Sequence, residues 1–353
     1  MGALVSQSIK DKARELGFDL CGIAPAEAFP ELEYLPEWIA RGYAGEMDYM
    51  EKSAHTRADI RRFLPGARSV IVTGTNYNTD AGATGATGPD TICVARYARG
   101  QDYHKVLEDR LHVLLEWMRA QQADPFDAAV FVDKHHVQER VFAHHAGIGW
   151  IGKNSCVINP DIGSWLFLAG IATSLPLQAD APALDQCGAC TQCIDACPTG
   201  ALVDARVVDA TTCISYLTIE VGGPVPESQR PHVGRHAYGC DICQDVCPWN
   251  LAAPVSTDPA WRAPRRDRLS AADLWQRTDD ELHALVKGSA MTYVPLSRLR
   301  RNLATVIGNS GDPSLAAVLD RPGRGVRNAA RSTHTPVVED AVAWAKQRLA
   351  STR

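Results

Sequence analysis

Eight of the eleven cysteines lie within one 61-residue stretch, and their spacing is the strongest chemical signal in the chain. Four of them form the run Cys187-Gly-Ala-Cys190-Thr-Gln-Cys193-Ile-Asp-Ala-Cys197-Pro198, a spacing that ligates iron–sulfur clusters. Cys240, Cys243 and Cys247, followed by Pro248, repeat the second half of that run without its first cysteine. Cys213 is the substitute for the missing ligand, so the stretch contains enough thiolates for two four-cysteine centres.

In such runs three closely spaced cysteines cap three corners of one cubane, and the fourth ligates the other cluster. We therefore predict two 4Fe-4S clusters side by side, which form a path for single electrons. The first is assigned to Cys187, Cys190, Cys193 and Cys247, and the second to Cys240, Cys243, Cys197 and Cys213. Zinc sites also use Cys-x-x-Cys pairs, but zinc explains neither the Cys-Pro endings nor the total of eight.

Composition places this chemistry in a soluble, cytoplasmic protein, which we expect to be a monomer. The longest good apolar run, 165–172, falls short of the roughly 18 residues that cross a bilayer. Charged residues from Lys10 to Glu15 interrupt the stretch in which a signal peptide needs apolar residues. The net charge of −5 excludes a protein that coats nucleic acid through uniform basic charge.

The periodicity of the chain predicts an α+β multidomain fold with three parts. Residues 1–180 combine a helical pattern with buried strands at 69–74 and 128–133, which indicates an α/β domain. Residues 181–255 contain the cysteines among many Gly and Pro, as expected when metal centres hold the fold. Residues 256–353 have leucines at helical spacing between Gly and Pro turns, which indicates an α-helical C-terminal domain.

Charge separates the C-terminal part from the rest of the chain. Residues 261–353 contain 16 Lys+Arg and 9 Asp+Glu, a net charge of +7, whereas residues 1–260 have a net charge of −12. The arginines form three clusters, which are Arg262, Arg265, Arg266 and Arg268, then Arg298, Arg300 and Arg301, then Arg321, Arg324 and Arg327. A solvated helical face would also fit, but the asymmetry favours a phosphate backbone as the partner.

Two further motifs are interpreted as structural. Gly147, Gly149 and Gly152 match the dinucleotide fingerprint, but a predicted helix precedes them and a predicted strand follows, so we expect a helix-to-strand turn. The four histidines of the same region do not have the spacing of a zinc signature, so we expect surface or core residues. They are His135, His136, His144 and His145.

Asp133 ends a predicted buried strand. Partial desolvation at that position would let its carboxyl group hold a proton near neutral pH, as a general acid needs. A helix cap at the end of a strand fits the same position, so the sequence leaves both roles open.

Several motifs resemble the epoxyqueuosine reductase family of tRNA-modifying enzymes. The resemblance is carried by the cysteine run with Cys213-Ile-Ser-Tyr-Leu-Thr-Ile-Glu220, and by segments 45–50, 64–70, 96–104, 147–154, 239–250 and 300–304. It implies a cobalamin-binding α/β domain for residues 1–180 and a ferredoxin-like domain with two 4Fe-4S clusters for 181–255. It also implies that residues 256–353 form a HEAT-like domain that helps to hold tRNA.

The resemblance implies a reaction as well. Electrons from an unidentified low-potential donor pass through the clusters to cobalamin, which assists removal of the epoxide oxygen from epoxyqueuosine at the tRNA wobble position. Queuosine and water result, in the last step of queuosine biosynthesis. The family's proton donor falls on Asp133, and its cobalamin contacts fall on Arg57, Asp133, Val157, Asn159 and Ser215.

One departure from the family pattern bears on the substrate. The strand-end aspartate is commonly followed by Thr-Gly-Pro, whereas this chain has Lys134-His135-His136, which would lie close to the substrate. The alternative function is a related cobalamin and iron–sulfur reductase, similar in logic to reductive dehalogenases, that acts on another substrate. A plain electron-transfer protein is a further alternative, but it would leave the α/β domain without a role.

Overall fold

The computed structural model describes residues 5–79, 88–262, 269–321, 323 and 335–351. In the N-terminal part the helices are α1 (Ser6–Glu15), α2 (Tyr34–Ala40), α3 (Asp48–Arg57), α4 (Ile60–Phe63), α5 (Tyr103–Gln121) and α6 (Glu139–His145). The strands there are β1 (Leu20–Pro25), β2 (Ser69–Asn76), β3 (Cys93–Val94), β4 (Ala128–Val132), β5 (Trp150–Ile151), β6 (Val157–Ile158) and β7 (Leu166–Thr173).

The cysteine-rich part consists of short elements, α7 (Gln192–Asp195), β8 (Leu202–Asp204), β9 (Val207–Val208), α8 (Ile214–Ile219), α9 (Arg230–Val233), β10 (His236–Tyr238) and α10 (Ile242–Asp245). The C-terminal part is helical, with α11 (Ala271–Gln276), α12 (Asp279–Val286), α13 (Leu296–Asn309) and α14 (Pro336–Ser351). Within these described ranges, no helix is both long enough and apolar enough to cross a membrane.

A four-stranded antiparallel sheet lies at the centre of the N-terminal part, in the order β1-β2-β7-β4. Both of its faces are buried, because successive side chains of a strand point to opposite sides. On β2, Ile71 belongs to the core formed with α1 and α5, whereas Val70 and Val72 pack into a second core with α6. The strands predicted at 69–74 and 128–133 are both present, with β2 extending two residues further and β4 ending one residue earlier, at Val132.

The first turn of α5 is fixed by its cap. The Asp102 side chain accepts a hydrogen bond from the backbone N–H of His104 at 3.2 Å, as an N-cap residue does. Leu107, Leu111 and Met118 then bury one face of the helix against the sheet. Cap and core together hold Tyr103 and His104 in a defined position near the end of β4.

The glycine-rich segment between α6 and β5 is a helix-to-strand turn, as predicted. Gly147 has a φ of 71°, which favours glycine. A Cβ on Gly149 would lie only 2.3 Å from the Ile158 carbonyl oxygen of the neighbouring strand. Backbone packing therefore accounts for these glycines without a dinucleotide.

The three parts pack closely against one another. β10 of the cysteine-rich part pairs with β3 of the N-terminal part, and the Asp241 carboxylate accepts a hydrogen bond from Arg96 N at 2.8 Å. In the C-terminal part α13 packs against α14 and also against β10 and α8. One apolar core extends from α1 and α5 through Trp261 and Trp275 to α14, so the helical part supports the sheet.

Candidate active site

The clustered cysteines separate into two groups in space, and the division follows the predicted ligand sets. Cys187, Cys190, Cys193 and Cys247 line one cavity of about 240 Å³, together with Lys153 and Trp249. Cys247 comes from a distant part of the sequence, yet the fold brings it to the other three. This cavity suits a four-cysteine cluster, and we call these residues the first cysteine group.

Two side chains outside the cysteine motifs contact the first cysteine group. Trp150 Nε1 donates a hydrogen bond to Cys187 Sγ at 3.4 Å, and its ring packs edge-on against Trp249. Lys153 Nζ donates to two backbone carbonyls of the cysteine loop at 2.8 and 2.9 Å. An N–H donor and an ammonium group stabilise the negative charge that thiolate ligands bring to a cluster.

The second cysteine group is Cys197, Cys213, Cys240 and Cys243. Burial is the main cause that raises the pKa of Cys213 and that of Cys240, the latter to about 12, and neighbouring thiols raise both further. Buried thiols that oppose one another's ionisation need positive charge beside them, which the iron of a cluster supplies. The arrangement therefore fits the second predicted ligand set.

A ninth cysteine, Cys156, adjoins the second cysteine group. It lies against Cys243, and the hydrogen bond between the two thiols is the main cause that raises the pKa of Cys243. Cys156 was not predicted to be a ligand, because it is distant in sequence from the cysteine motifs. Its neighbour Val157 begins β6, so this segment connects the cysteines to the wall formed by α6.

Asp133 follows β4 directly and has a φ of 33°, in the left-handed region that non-glycine residues seldom adopt. The Tyr103 hydroxyl donates to Asp133 Oδ2 at 2.5 Å, and His104 Nε2 lies 3.2 Å from the same oxygen. Desolvation by surrounding protein is the strongest influence on the Asp133 pKa, yet 62% of the side chain is accessible. Asp133 therefore lies in a recess, with Tyr103 and His104 on its inner side and solvent on the other.

The pKa of Asp133 is shifted in the direction opposite to the sequence-based expectation. Desolvation raises the Asp133 pKa, but hydrogen bonds with His104 and Tyr103 and the charge of Arg57 outweigh it, so the net shift is downward. Burial lowers the pKa of His104, but its bonds to Asp133 and Asp102 raise it by more. The expectation that desolvation keeps Asp133 protonated near neutral pH is wrong here, because two donors stabilise its carboxylate.

His104 is held between two carboxylates. Oδ1 of Asp102 lies 2.8 Å from His104 Nδ1, on the side of the ring opposite Asp133. The Tyr293 hydroxyl donates to the other oxygen of Asp102 at 2.8 Å and thereby fixes this carboxylate. The motif 96–104 pointed to this segment but not to this geometry, because Asp133 and Tyr293 reach it only through the tertiary fold.

Four further polar side chains interact electrostatically with Asp133 or with one another in this recess. They are Arg57, Tyr49, Glu139 and Glu220. With Asp133 they define what we call the Asp133 recess. Hydrogen bonds to a serine hydroxyl and a backbone carbonyl fix Arg57. Burial and the charge of Asp133 raise the pKa of Glu139 to about 8, and its Oε1 has no hydrogen-bond partner. Tyr49 and Glu139 were not anticipated from the sequence.

The remaining predicted cofactor contacts lie on the cysteine side of this region. Val157 is buried in the core with α6, and Ser215 is half-buried two residues after Cys213. Asn159 is buried, and its side chain donates to the Ile148 carbonyl at 2.7 Å and accepts from two backbone N–H groups. Its backbone N–H and C=O also bond to Gly163, so the described contacts of Asn159 hold the local fold.

The residues that depart from the family pattern have structural contacts. Lys134 Nζ pairs with Glu108 of α5 at 2.7 Å, and the His135 ring interacts with the backbone of Val132 at 3.1 Å. Both contacts hold the segment that follows Asp133. They give these two side chains a role that does not involve the substrate.

His145 also has a structural role, because it stacks on Phe29 and pairs with Glu31 at 3.3 Å. In the part of the chain that the structure describes, Glu31, His144 and His145 are the one group with ligand atoms within 4.8 Å of one another. The stacking and the ion pair account for His145 as a packing residue, as expected from the sequence.

The arginine cluster of α13 is buried, which corrects the proposed phosphate contacts. Arg300 and Arg301 are 0% and 1% exposed. Arg300 bonds to Asp279 and to two backbone carbonyls, and all five N–H groups of Arg301 donate to protein acceptors. Burial lowers the pKa of Arg301 to about 10. Arg300 and Arg301 therefore cannot contact a phosphate backbone.

The other predicted arginines divide into two sets. Arg262 and Arg321 are exposed, and Arg298 is half-buried and donates to the Ile219 carbonyl at 2.8 Å. Arg265, Arg266, Arg268, Arg324 and Arg327 lie outside the described residues. The C-terminal part thus keeps exposed basic residues, although not the ones at the centre of the predicted surface.

Two family models match the chain in the regions that form the site. Residues 57–134 match a model described as epoxyqueuosine reductase QueG, DUF1730, and this segment runs from Arg57 to the residue after Asp133. Residues 186–250 match a model described as a 4Fe-4S double cluster binding domain. The second match contains all eight clustered cysteines, so the chain has a domain for two 4Fe-4S clusters.

Similarity to known proteins covers nearly the whole chain. An epoxyqueuosine reductase of Gloeobacter violaceus is 44% identical over 88% of this chain and 98% of its own length, and one of Pseudomonas aeruginosa is 39% identical over 98% and 95%. A crystal structure of epoxyqueuosine reductase with a tRNA-Tyr epoxyqueuosine-modified stem loop has a TM-score of 0.85 at 28% identity, covering 97% of this chain and 89% of that chain. The chain belongs to the epoxyqueuosine reductase family.

Proposed function

We propose that this protein reduces epoxyqueuosine to queuosine at the wobble position of tRNA, as the last step of queuosine biosynthesis. The observation that carries the proposal is the position of the Asp133 recess beside the second cysteine group. One short helix, α8, connects Cys213 of that group to Glu220 of the recess. A path for electrons and a network that holds protons therefore end in the same place.

The proposed reaction needs electrons and protons at the same site. Removing the epoxide oxygen breaks two C–O bonds and forms a C=C bond, and it consumes two electrons and two protons as the oxygen leaves as water. An alkoxide is a poor leaving group, so an acid must protonate the oxygen. Asp133 is the proposed proton donor. The guanidinium of Arg57, which hydrogen bonds hold in place, is proposed to orient the substrate in the recess.

The two cysteine groups would hold the clusters that supply the electrons. We assign one cluster to Cys187, Cys190, Cys193 and Cys247, and the other to Cys197, Cys213, Cys240 and Cys243. Trp150 and Lys153 would stabilise negative charge at the first cysteine group. When bound, the clusters would supply single electrons from a low-potential donor, and the second cysteine group lies next to the recess.

We also assign a cobalamin to the recess. The fit rests on the accessible carboxylate of Asp133 and on Glu139 Oε1, a buried oxygen that has no hydrogen-bond partner in the described structure and that a ligand would satisfy. Arg57, Asp133, Val157 and Ser215 would hold the group, whereas Asn159, which is bonded within the protein through its backbone and side chain, would only shape the site. When bound, cobalamin supplies the low-potential two-electron chemistry that no amino-acid side chain provides.

The proposed tRNA partner would lie over the recess and on the C-terminal part. A relative with the same fold binds an epoxyqueuosine-modified stem loop, which supports this choice. Exposed Arg262 and Arg321 and half-buried Arg298 are the described arginines suited to phosphate contacts, in place of Arg300 and Arg301. We propose that the protein acts in the cytoplasm as a monomer.

Anaerobic turnover tests the proposal. Protein reconstituted with iron, sulfide and cobalamin is incubated with an epoxyqueuosine-modified stem loop and a low-potential reductant, and the nucleosides are analysed by mass spectrometry. We expect loss of one oxygen atom from the modified base, and none when cobalamin is omitted. An unchanged epoxide in fully reconstituted protein would exclude the proposed substrate, and full conversion without cobalamin would exclude the cofactor.

A further inference from the structure

The chemistry of the proposed function leaves one question about Asp133. A general acid must hold a proton when the oxygen departs, but the surroundings of Asp133 favour its carboxylate. The proton has to come from a neighbouring group that binds it more tightly at rest and can pass it on. Among the groups that bond to Asp133 in the described structure, Tyr103 and His104 are the candidates.

Tyr103 does not suit this role. Burial, and then the charge of Asp133, raise the pKa of Tyr103 well above its ordinary value. A phenol of that kind keeps its proton and only donates a hydrogen bond. Its ring stacks on Phe167 with centroids 4.4 Å apart, so it is fixed as a support for the Asp133 carboxylate.

We propose that His104 stores the proton that Asp133 passes to the epoxide oxygen, and that Asp102 holds His104 in the protonated form for this purpose. Asp102, His104 and Asp133 then form a linear carboxylate–imidazole–carboxylate unit. A proton moves from His104 Nε2 to Asp133 Oδ2, which are 3.2 Å apart, while Nδ1–H stays bonded to Asp102 at 2.8 Å. The inference rests on the proposed function, because it assigns the source of the proton for that reaction.

The proton balance is closed by solvent. The unit holds one transferable proton, and each turnover consumes two. Nε2 is therefore reprotonated once during each turnover and once after it, by water that reaches the accessible side of Asp133. His104 acts through Asp133 and is a positioning residue, in the same way that a carboxylate behind a catalytic histidine stabilises the imidazolium.

The charges around His104 agree with this role. Asp102 from the N-terminus of α5 and Asp133 from the end of β4 face its two ring nitrogens. Tyr103 stacks on the ring, and Tyr293 lies edge-on with centroids 5.1 Å apart and donates to Asp102. Arg57 is the cation that interacts with Asp133 across the recess. Two carboxylates against one imidazole favour the imidazolium.

Single-turnover kinetics on pre-reduced holoenzyme test the inference, because electron delivery then no longer limits the rate. His104→Gln keeps a polar group near Asp133 but cannot carry the proton. We expect a rate about 100-fold lower at neutral pH, the usual loss when a proton-transfer group is removed. In the parent the rate should fall as pH rises through the raised pKa of His104, and in the variant this fall should move to lower pH.

Two further variants separate proton storage from structural support. In His104→Ala, added imidazole should restore part of the rate, which a purely structural loss would not allow. Asp102→Asn leaves the histidine in place and should shift the pH profile in the same direction as His104→Gln. The matched control is His112→Gln, an exposed histidine on the same helix, which should behave as the parent.

These experiments distinguish failure of the proton-storage inference from failure of the proposed function. If the parent does not convert the modified stem loop, the proposed function fails. If the parent is active and folded His104→Gln or Asp102→Asn keeps its rate and pH profile, proton storage by His104 is wrong. Absorbance of the clusters and cobalamin, which should be unchanged, verifies that each variant is loaded. A variant that fails to load and is not rescued by imidazole would assign His104 to structure alone.

Discussion

The charged side chains of α13 and those of the Asp133 recess differ in how completely other protein groups satisfy their hydrogen bonds. Every N–H of Arg301 has a protein acceptor, and Arg300 is paired with Asp279, so neither side chain has capacity left for a ligand. In the recess, Glu139 has a buried oxygen without a partner, and Asp133 is widely accessible. Buried polar groups are normally satisfied, so the two arginines stabilise the fold, whereas Glu139 and Asp133 keep hydrogen-bonding capacity for a ligand.

The sharpest test of this comparison is Asp133→Asn, which is nearly isosteric. We expect single-turnover reduction of the modified stem loop to fall by about 10²–10⁴-fold, the usual contribution of a positioned acid. The melting temperature and both cofactor spectra should stay close to the parent, because the amide has nearly the same shape as the carboxyl group and Asp133 lies outside the core. Asp124→Asn, at an exposed position, is the control. If Asp133→Asn unfolds, Asp133 stabilises the fold as Arg300 and Arg301 do, and the comparison between the two regions is wrong.

The opposite outcome is expected for Arg301→Leu. Removing this guanidinium removes the hydrogen bonds that it donates to the carbonyls of Leu217, Val221 and Gly223. We expect the free energy of unfolding to fall by about 3 kcal/mol, since each buried acceptor left unsatisfied costs about 1–3 kcal/mol. Chemical denaturation measures this loss.

Arg298→Ala is the matched control for Arg301→Leu, because Arg298 is half-buried and donates a hydrogen bond to the Ile219 carbonyl. Its loss should cost about 1 kcal/mol, the typical net value of one hydrogen bond. Equal stabilities for the two variants would contradict the view that α13 uses its arginines for the fold.

The same comparison explains what the sequence could predict. The cysteine groups were predictable because cluster geometry dictates ligand spacing, and Cys187, Cys190, Cys193 and Cys247 do share one cavity. The strand ending at Asp133 was predictable because buried strands have dense apolar patterns. Family membership followed from motifs that are contiguous in sequence. In each case the signal is local, or it is set by the chemistry of the bound group.

Features that depend on tertiary partners were not predictable. Arg300 and Arg301 are adjacent, and their burial depends on α13 lying between α11 on one side and α8 with β10 on the other. The lowered pKa of Asp133 depends on His104 and Tyr103, about thirty residues earlier in the chain. The charges counted along the sequence predict neither the burial of these arginines nor the pKa shift of Asp133, because both depend on hydrogen bonds formed in the folded protein.

A smaller effect is expected for Glu139→Gln in cobalamin-free protein. The pKa of Glu139 is raised from 4.5 to about 8, first by burial, so between these values the folded protein keeps a proton that the unfolded chain releases. Stability from this group therefore falls as pH rises from 4.5 to 8 and stays low above 8. The variant should exceed the parent by at least about 1 kcal/mol above that range, since one pKa unit is about 1.4 kcal/mol.

Thermal unfolding at several pH values measures this difference, which should vanish below pH 4.5. Glu116→Gln, on the exposed face of α5, is the control and should give a difference that does not depend on pH in this way. A variant that is less stable than the parent at high pH would mean that Glu139 is satisfied within the protein, as the α13 arginines are.

The smallest effect concerns the exposed arginines that replace the buried pair as candidate phosphate contacts. If Arg321 contacts one phosphate of a stem loop, Arg321→Ala should weaken binding severalfold and reduce the slope of log affinity against log salt by about 0.9. Arg14→Ala, at an exposed arginine of the acidic N-terminal part, should change neither quantity. Because Arg321 is exposed, its loss should leave the melting temperature unchanged, which separates this effect from that of Arg301→Leu. Fluorescence anisotropy at several salt concentrations gives the slope, and an unchanged slope would remove Arg321 from the tRNA surface and leave Arg262 and Arg298 as the described candidates.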